Sequence, residues 1–214
     1  MNHKMVSIAD QIFEKLEHDI LTGVYERDEL LTEVRLSEEL GVSRTPVREA
    51  LSRLGQEHIV EITTKGAKVV GISEQDLVDI YEIRYRIECL AARRAAENKD
   101  NDPEGLKELK EFLDLQEFYT NKQDRDHIND ADSGFHETLY ELSGSAALVN
   151  TLAPLHRRIV KYRRVSVERT TRATASLEEH RAIYEAIAEG NGELAEKLMQ
   201  QHIMKARDSI LGGK

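Results

Sequence analysis

Four side chains in the second half of this chain have the chemistry of metal ligands: Asp132, His136, His180 and His202. Asp132 and His136 stand at i and i+4, so on a helix their side chains emerge one above the other on one face. His180 and His202 flank Asn191 at eleven residues on either side. If Gly190-Asn191-Gly192 turns the chain back on itself, both histidines lie at one height on facing antiparallel helices. Each is then about 16 Å from the turn, at ~1.5 Å per residue. Two such helix pairs facing one another would bring one carboxylate and three imidazoles around a single divalent ion. That donor set suits Zn²⁺ first, and also Ni²⁺, Mn²⁺ or Fe²⁺. The spacing leaves a second reading open, because a histidine on a half-apolar face is commonly a hydrogen-bonded core residue. The string His136-Glu-Thr-Leu-Tyr140 is not HExxH, which excludes a zincin-type protease at this position.

A cation lies among apolar residues upstream. Leu77, Ile80, Ile83, Ile87 and Ala91 form a helical stripe, and Arg84 falls inside it at 100° per residue. A guanidinium in such a place needs a partner, since an unpaired buried charge is costly. Two partners are possible: an internal carboxylate, or an exogenous one that Arg binds through two parallel hydrogen bonds. Further on, Arg163 and His156 flank the Leu155/Ile159/Tyr162 stripe and are placed to line a pocket. Cys89 reads as a packing residue, and a single cysteine excludes an internal disulfide.

The chemistry near the N-terminus is of another kind. In GVSRTPVREAL (41–51), Gly41 permits a tight turn, and Ser43, Arg44, Thr45 and the first backbone N–H groups of a helix can hold phosphates. Pro46 is acceptable in a first helical turn. Arg44 and Arg48 lie one turn apart on the polar face, where either can pair with guanine in the major groove. Lys65 and Gly66 sit at a hairpin tip, where glycine lets backbone approach a groove closely. The net charge is −10, so sequence-blind binding to nucleic acid is not expected. Residues 43–68 nevertheless carry five cations against three acids, so DNA binding, if present, is local and geometric.

These groups need helices to position them. Ser7-Ile-Ala-Asp10 is a capping box opening a first helix with Ile8, Ile12, Leu16 and Ile20 inward. A second helix runs from about Glu33 to Leu40. A third, with Ser43 or Thr45 as N-cap, buries Val47, Leu51 and Leu54. HIVEI, TTKG and AKVVGI then read as strand, turn and strand, which completes a winged helix-turn-helix. From Ser73 the periodicity is helical throughout, with helices at about 74–98, 104–121, 126–142, 146–167, 176–189 and 193–211. The expected fold is mainly α, in two domains: a winged helix-turn-helix over 1–72 and an all-α bundle over 73–214. No apolar run approaches the ~18 residues of a membrane span, so no membrane partner is expected. The N-terminus lacks a signal peptide's apolar core, and a cytoplasmic protein is expected.

The string 41–51, with LLTEVRLSEEL before it and LSRLGQEHIVEITTKGAKVVGIS after it, resembles the winged-helix domain of the GntR family of bacterial transcription regulators, over roughly residues 7–72. Ser43, Arg44, Thr45, Pro46 and Arg48 match that family's recognition-helix motif, and Gly66 matches its wing glycine. One departure is Val34, where many relatives have Arg; Arg35 comes one residue later. DSGFHETLYELSG (132–144) and EEHRAIYEAIAEGNGELAEKLMQQHI (178–203) resemble the FCD effector domain of one GntR subfamily, in its shorter six-helix branch. That resemblance implies a metal held by Asp132, His136, His180 and His202, and it favours an exogenous carboxylate at Arg84. It also implies a homodimeric regulator, commonly a repressor, on palindromic double-stranded operator DNA, controlled by a small carboxylate metabolite. The competing class is a metal-dependent hydrolase using the same four residues. The winged helix decides against it. So does the lack of a Gly-rich phosphate loop, a nucleophile elbow or a positioned general base.

Overall fold

The computed structural model describes residues 7–166 and 171–212, without the side chains of Lys161, 163–166 and Thr171. The chain divides into two compact units, Met1–Ser73 and Glu74–Lys214. Among the described residues no helix is long and apolar enough to cross a membrane.

The first unit runs α1 (Ile8–Leu21), β1 (Leu30–Leu31), α2 (Glu33–Leu40), α3 (Arg44–Gln56), β2 (Val60–Thr63) and β3 (Gly66–Val69). The capping box forms as expected: the Ser7 hydroxyl accepts from the Asp10 N–H, and Asp10 Oδ2 accepts from the Ser7 N–H. Gly41 ends α2 in the left-handed region at φ 66°, where a side chain would be strained. Leu16, Leu36, Val47, Leu51 and Leu54 bury the inner faces of the three helices against Ile59, Val60, Ala67 and Val69 of the hairpin. The sheet holds one strand more than the sequence suggests. Leu30 and Leu31 pair antiparallel with Lys68 and Ala67, giving the order β1-β3-β2. This explains Gly66: a Cβ there would stand 2.6 Å from the Leu31 carbonyl oxygen, and its φ is 144°. The glycine expected to admit DNA at the wing has an internal reason in strand packing.

The second unit consists of α4 (Glu74–Asn98), α5 (Pro103–Lys122), α6 (Arg125–Leu142), α7 (Ala146–Ser166), α8 (Thr171–Ala188) and α9 (Gly192–Leu211). Side chains of Asp102, Asp124 and Asn191 cap α5, α6 and α9. On α4, Ala91, Ala92, Ala95 and Ala96 are all buried, and these small residues let Ala195, Met199 and Ile203 of α9 join the same core. The buried face of α4 is rotated from the expected stripe. Ile83 is 39% exposed and Ile87 only partly buried, while Tyr81, Arg84 and Glu88 point inward. Apolar periodicity misplaced this face because two of its inward residues are charged.

Candidate metal centre and nucleic-acid interface

In the second unit, α6, α8 and α9 converge the four expected residues. Asp132, His136, His180 and His202 are all buried. One ring nitrogen from each of the three histidines lies within 4.8 Å of the other two. His180 Nε2 is 3.4 Å from His202 Nε2 and 4.0 Å from Asp132 Oδ1. The reversal at 190–192 sets the final helices antiparallel, with the two histidine rings 4.6 Å apart across α8 and α9. Phe135 stacks on His180 at 4.4 Å.

The far side of each ring is held. His180 Nδ1 donates to Gln116 Oε1 at 2.7 Å, and His202 Nδ1 donates to Glu179 Oε2 at 2.8 Å. His136 Nδ1 lies 2.6 Å from Glu88 Oε1. With Nδ1 of His180 and of His202 donating outward, Nε2 of each is left as the coordinating atom, the arrangement by which outer carboxylates and amides orient metal-binding histidines. Burial, reinforced by neighbouring histidines, pushes His180 well below the ordinary imidazole range. Burial likewise lowers His202 to about 4. Neutral imidazole is the form a metal takes. The donor set therefore fits a divalent ion. The 3.4 Å between His180 and His202 is the edge of a tetrahedron with metal–nitrogen bonds of about 2.05 Å.

Three of these holders were not found from the sequence. Glu88 is fully buried and answers the question of Arg84's partner: Arg84 Nε donates to Glu88 Oε2 at 2.6 Å and Nη2 donates to Oε1 at 3.1 Å. Burial opposes the Glu88 charge, but Arg84 and His136 hold its carboxyl well below the usual range. The internal carboxylate is thus the partner present, and Arg84, 2% exposed, does not line the cavity beside the site. A carboxylate one helical turn after Arg84 was the signal available for Glu88. For Glu179 the signal was its place beside His180; Gln116 gave none. His156 is fully buried with its ring 4.5 Å from that of His136 and its Nε2 3.8 Å from Asp132 Oδ2. Among the described residues neither of its ring nitrogens has a hydrogen-bond partner, and Glu88, His136 and His156 form a second cluster of ligand type. The side chain of Arg163 lies outside the described residues.

Next to the four residues is a cavity of about 180 Å³, with Asp132 and Gln116 in its lining together with Thr120, Arg125, Asn129, Arg172, Ser176 and Ser209. The volume is below the ~300–1,000 Å³ of pockets for drug-sized ligands, so it suits a smaller molecule.

In the first unit, Ser43 occupies the N-cap of α3 without a side-chain capping bond, Thr45 and Pro46 fall in the first turn, and Arg44 and Arg48 are exposed. Arg48 is engaged within the unit: its Nε and Nη2 each donate at 2.7 Å to the two carboxylate oxygens of Glu33 on α2. Arg35 is held by Glu29 and Glu39, both at 2.6 Å. A groove between α3 and the hairpin is lined by Glu33, Arg48, Ser52, Ile62, Lys65 and Gly66.

Residues 8–70 match the family described as bacterial regulatory proteins, gntR family, and residues 79–205 match the FCD domain. The HTH-type transcriptional repressor RspR of Escherichia coli (strain K12) is 26% identical over 204 residues, covering 95% of this chain and 89% of the relative. The gluconate operon transcriptional repressor of Bacillus licheniformis is 32% identical over 125 residues, 58% of this chain. The matched stretch spans about half, 51%, of that relative. Among solved structures, E. coli McbR/YncC matches with a TM-score of 0.70 at 25% identity, over 97% of this chain and 98% of that one.

Proposed function

The chain belongs to the gntR family of bacterial regulatory proteins and carries an FCD domain, and from that premise we propose a homodimeric, metal-assisted sensor of a small organic acid that controls operator binding. It is a transcription regulator and not an enzyme; its named relatives include repressors, and the proposed sense is repression relieved by the acid. The observation that supports the sensor reading is the convergence of His136, His180 and His202, with Asp132 Oδ1 4.0 Å from His180 Nε2 and a polar side chain behind each histidine. A divalent ion at those residues would supply an electrophilic partner for an acid's carboxylate. Zn²⁺ fits the nitrogen-rich set best, with Ni²⁺, Mn²⁺ and Fe²⁺ as competitors. Gln116, Glu179 and Glu88 fix the rings, and the adjoining cavity receives the acid.

In the DNA-binding unit, Ser43, Arg44, Thr45 and Pro46 present the start of α3 to phosphate. Arg48, Lys65 and Gly66 border the groove that faces the duplex. A dimer sets two such units on the halves of a palindrome. Ile83, Ile87 and Leu90 supply a surface for pairing: they recur at i, i+4 and i+7 along α4, with Ile83 and Leu90 39% and 38% exposed. Light scattering should report about twice the 24.4 kDa of one chain.

The deciding experiment is elemental analysis of protein purified without a His tag and incubated with Zn²⁺, Ni²⁺ and Mn²⁺, beside His180→Ala. Wild type should retain stoichiometric metal, and a chelator should lower its melting temperature, because binding to the native state stabilises by RT ln(1 + [L]/Kd). His180→Ala should lose both properties. Equal, negligible metal in the two proteins would return the histidines to the role of packed core residues.

A further inference from the structure

The cavity beside the four residues has a charged wall that the histidine spacing did not point to. Arg172, at the start of α8, lines it and is mostly buried, at 17% side-chain exposure. Its Nη1 and Nη2 donate to Glu179 Oε1 and Oε2 at 2.9 and 2.6 Å. Glu179 Oε2 is also the acceptor for His202 Nδ1 at 2.8 Å. Two of the five guanidinium donors are thus spent on a carboxylate that holds the group rigid, which among the described residues leaves three. Arg172, Ser176 and Ser209 also border a smaller space that reaches His202 and Tyr81. Also in the lining of the main cavity, two donors lack partners among the described residues: the Gln116 amide Nε2, on a fully buried residue, and the Thr120 hydroxyl. Leaving such buried donors unpaired is costly. A ligand rich in acceptor oxygens would satisfy them.

We propose that Arg172, and not Arg84, is the residue that receives the carboxylate of a small organic acid, and that Glu179 ties it to His202. The assignment rests on the reading of this cavity as the effector site. It follows from placement: Arg84 is 2% exposed and does not line the cavity, whereas Arg172 stands in the cavity wall, one shared acceptor away from the ring of His202. A carboxylate bound to Arg172 competes with Glu179 for the guanidinium's charge and leaves Glu179 a stronger acceptor for His202. Acid and metal therefore favour one another, and linkage requires the effect to be reciprocal.

The test uses zinc-loaded, full-length protein in calorimetric titrations with malonate and with malonamide, which keeps the size and removes the charge. Wild type should bind malonate at least about tenfold more tightly than malonamide. Arg172→Gln should weaken malonate at least about tenfold while zinc content, by elemental analysis, stays at the wild-type ratio. Malonate bound equally by wild type and Arg172→Gln would overturn the assignment and leave the cavity's role intact. No malonate binding by wild type, or equal binding of malonamide, would overturn both. If Arg172→Gln sheds zinc, Arg172→Lys, which leaves Glu179 a cation, decides. Zinc retained with malonate weakened several-fold supports the assignment. Malonate unweakened, or zinc lost again, marks Arg172 as a structural prop and overturns it.

Discussion

Replacing Glu88 by Ala should damage the second unit twice, in ways that can be measured separately. Glu88 is fully buried, and its two oxygens accept from Arg84, itself 2% exposed, at 2.6 and 3.1 Å. Removing the carboxylate strands a guanidinium in the core, and breaking a buried pair from one side costs about 3–5 kcal/mol. For a chain of this size each kcal/mol moves the melting temperature by about 2–4 °C, so a fall of about 6–20 °C is expected. The measurement is a thermal melt by circular dichroism in excess chelator, so that metal binding does not contribute. The second loss is at His136, whose Nδ1 lies 2.6 Å from Glu88 Oε1. Outer partners of this kind are worth about 10–100-fold in metal affinity, read by competition against a chromophoric chelator. The double variant Arg84→Met/Glu88→Leu separates the effects. With neither charge left to bury it should recover most of the stability, but not the zinc affinity. A single variant that melts within about 2 °C of wild type would refute the argument, as would a double variant no more stable than the single one.

In gel shifts, Arg44→Ala and Arg48→Ala should each weaken operator binding by about 5- to 150-fold, the range of one lost bidentate base contact, with folding and dimerisation intact. A double variant that binds normally at moderate salt would sink the interface. Glu33→Ala should act the other way and tighten binding by less than about tenfold, because it frees the Arg48 fork and removes a negative charge from the groove; weaker binding would contradict this. Gly66→Ala should destabilise the first unit by about 1–3 kcal/mol in urea melts, since φ is 144° and the new Cβ meets the Leu31 carbonyl oxygen at 2.6 Å. An unchanged midpoint would mean that β1 gives way at no cost.

Local signals made much of this molecule legible. Ser7 and Asp10 reveal the start of α1, Gly41 the end of α2, and Gly190-Asn191-Gly192 the reversal that sets His180 against His202, because caps and turns act over a few residues. What escaped depends on partners distant in the chain. β1 is two residues long and exists only because β3 lies beside it. The inward face of α4 was misplaced because Arg84 and Glu88 satisfy each other there, so hydrophobic periodicity points to Ile83 instead. Gln116 reaches His180 from α5, 64 residues away, and nothing about a glutamine on a helix announces that role. Arg172 falls in a Thr/Arg-rich stretch that reads as a break between helices, yet α8 already includes it.

The Glu33–Arg48 pair would bear on how the protein meets a genome. If Arg48 reads the operator as proposed, Glu33 on α2 competes with phosphate for its fork, so on arbitrary DNA the fork would stay with its own carboxylate and one counterion fewer would be released. Only a site offering a guanine edge with matching two-point geometry draws Arg48 away. Abundant wrong sites lose a generic attraction that the right site replaces with a specific one. What the cell reads is the ratio between the two affinities multiplied by the number of competitors. In a protein of net charge −10, such an internal rival would weaken binding in general and sharpen the choice of operator.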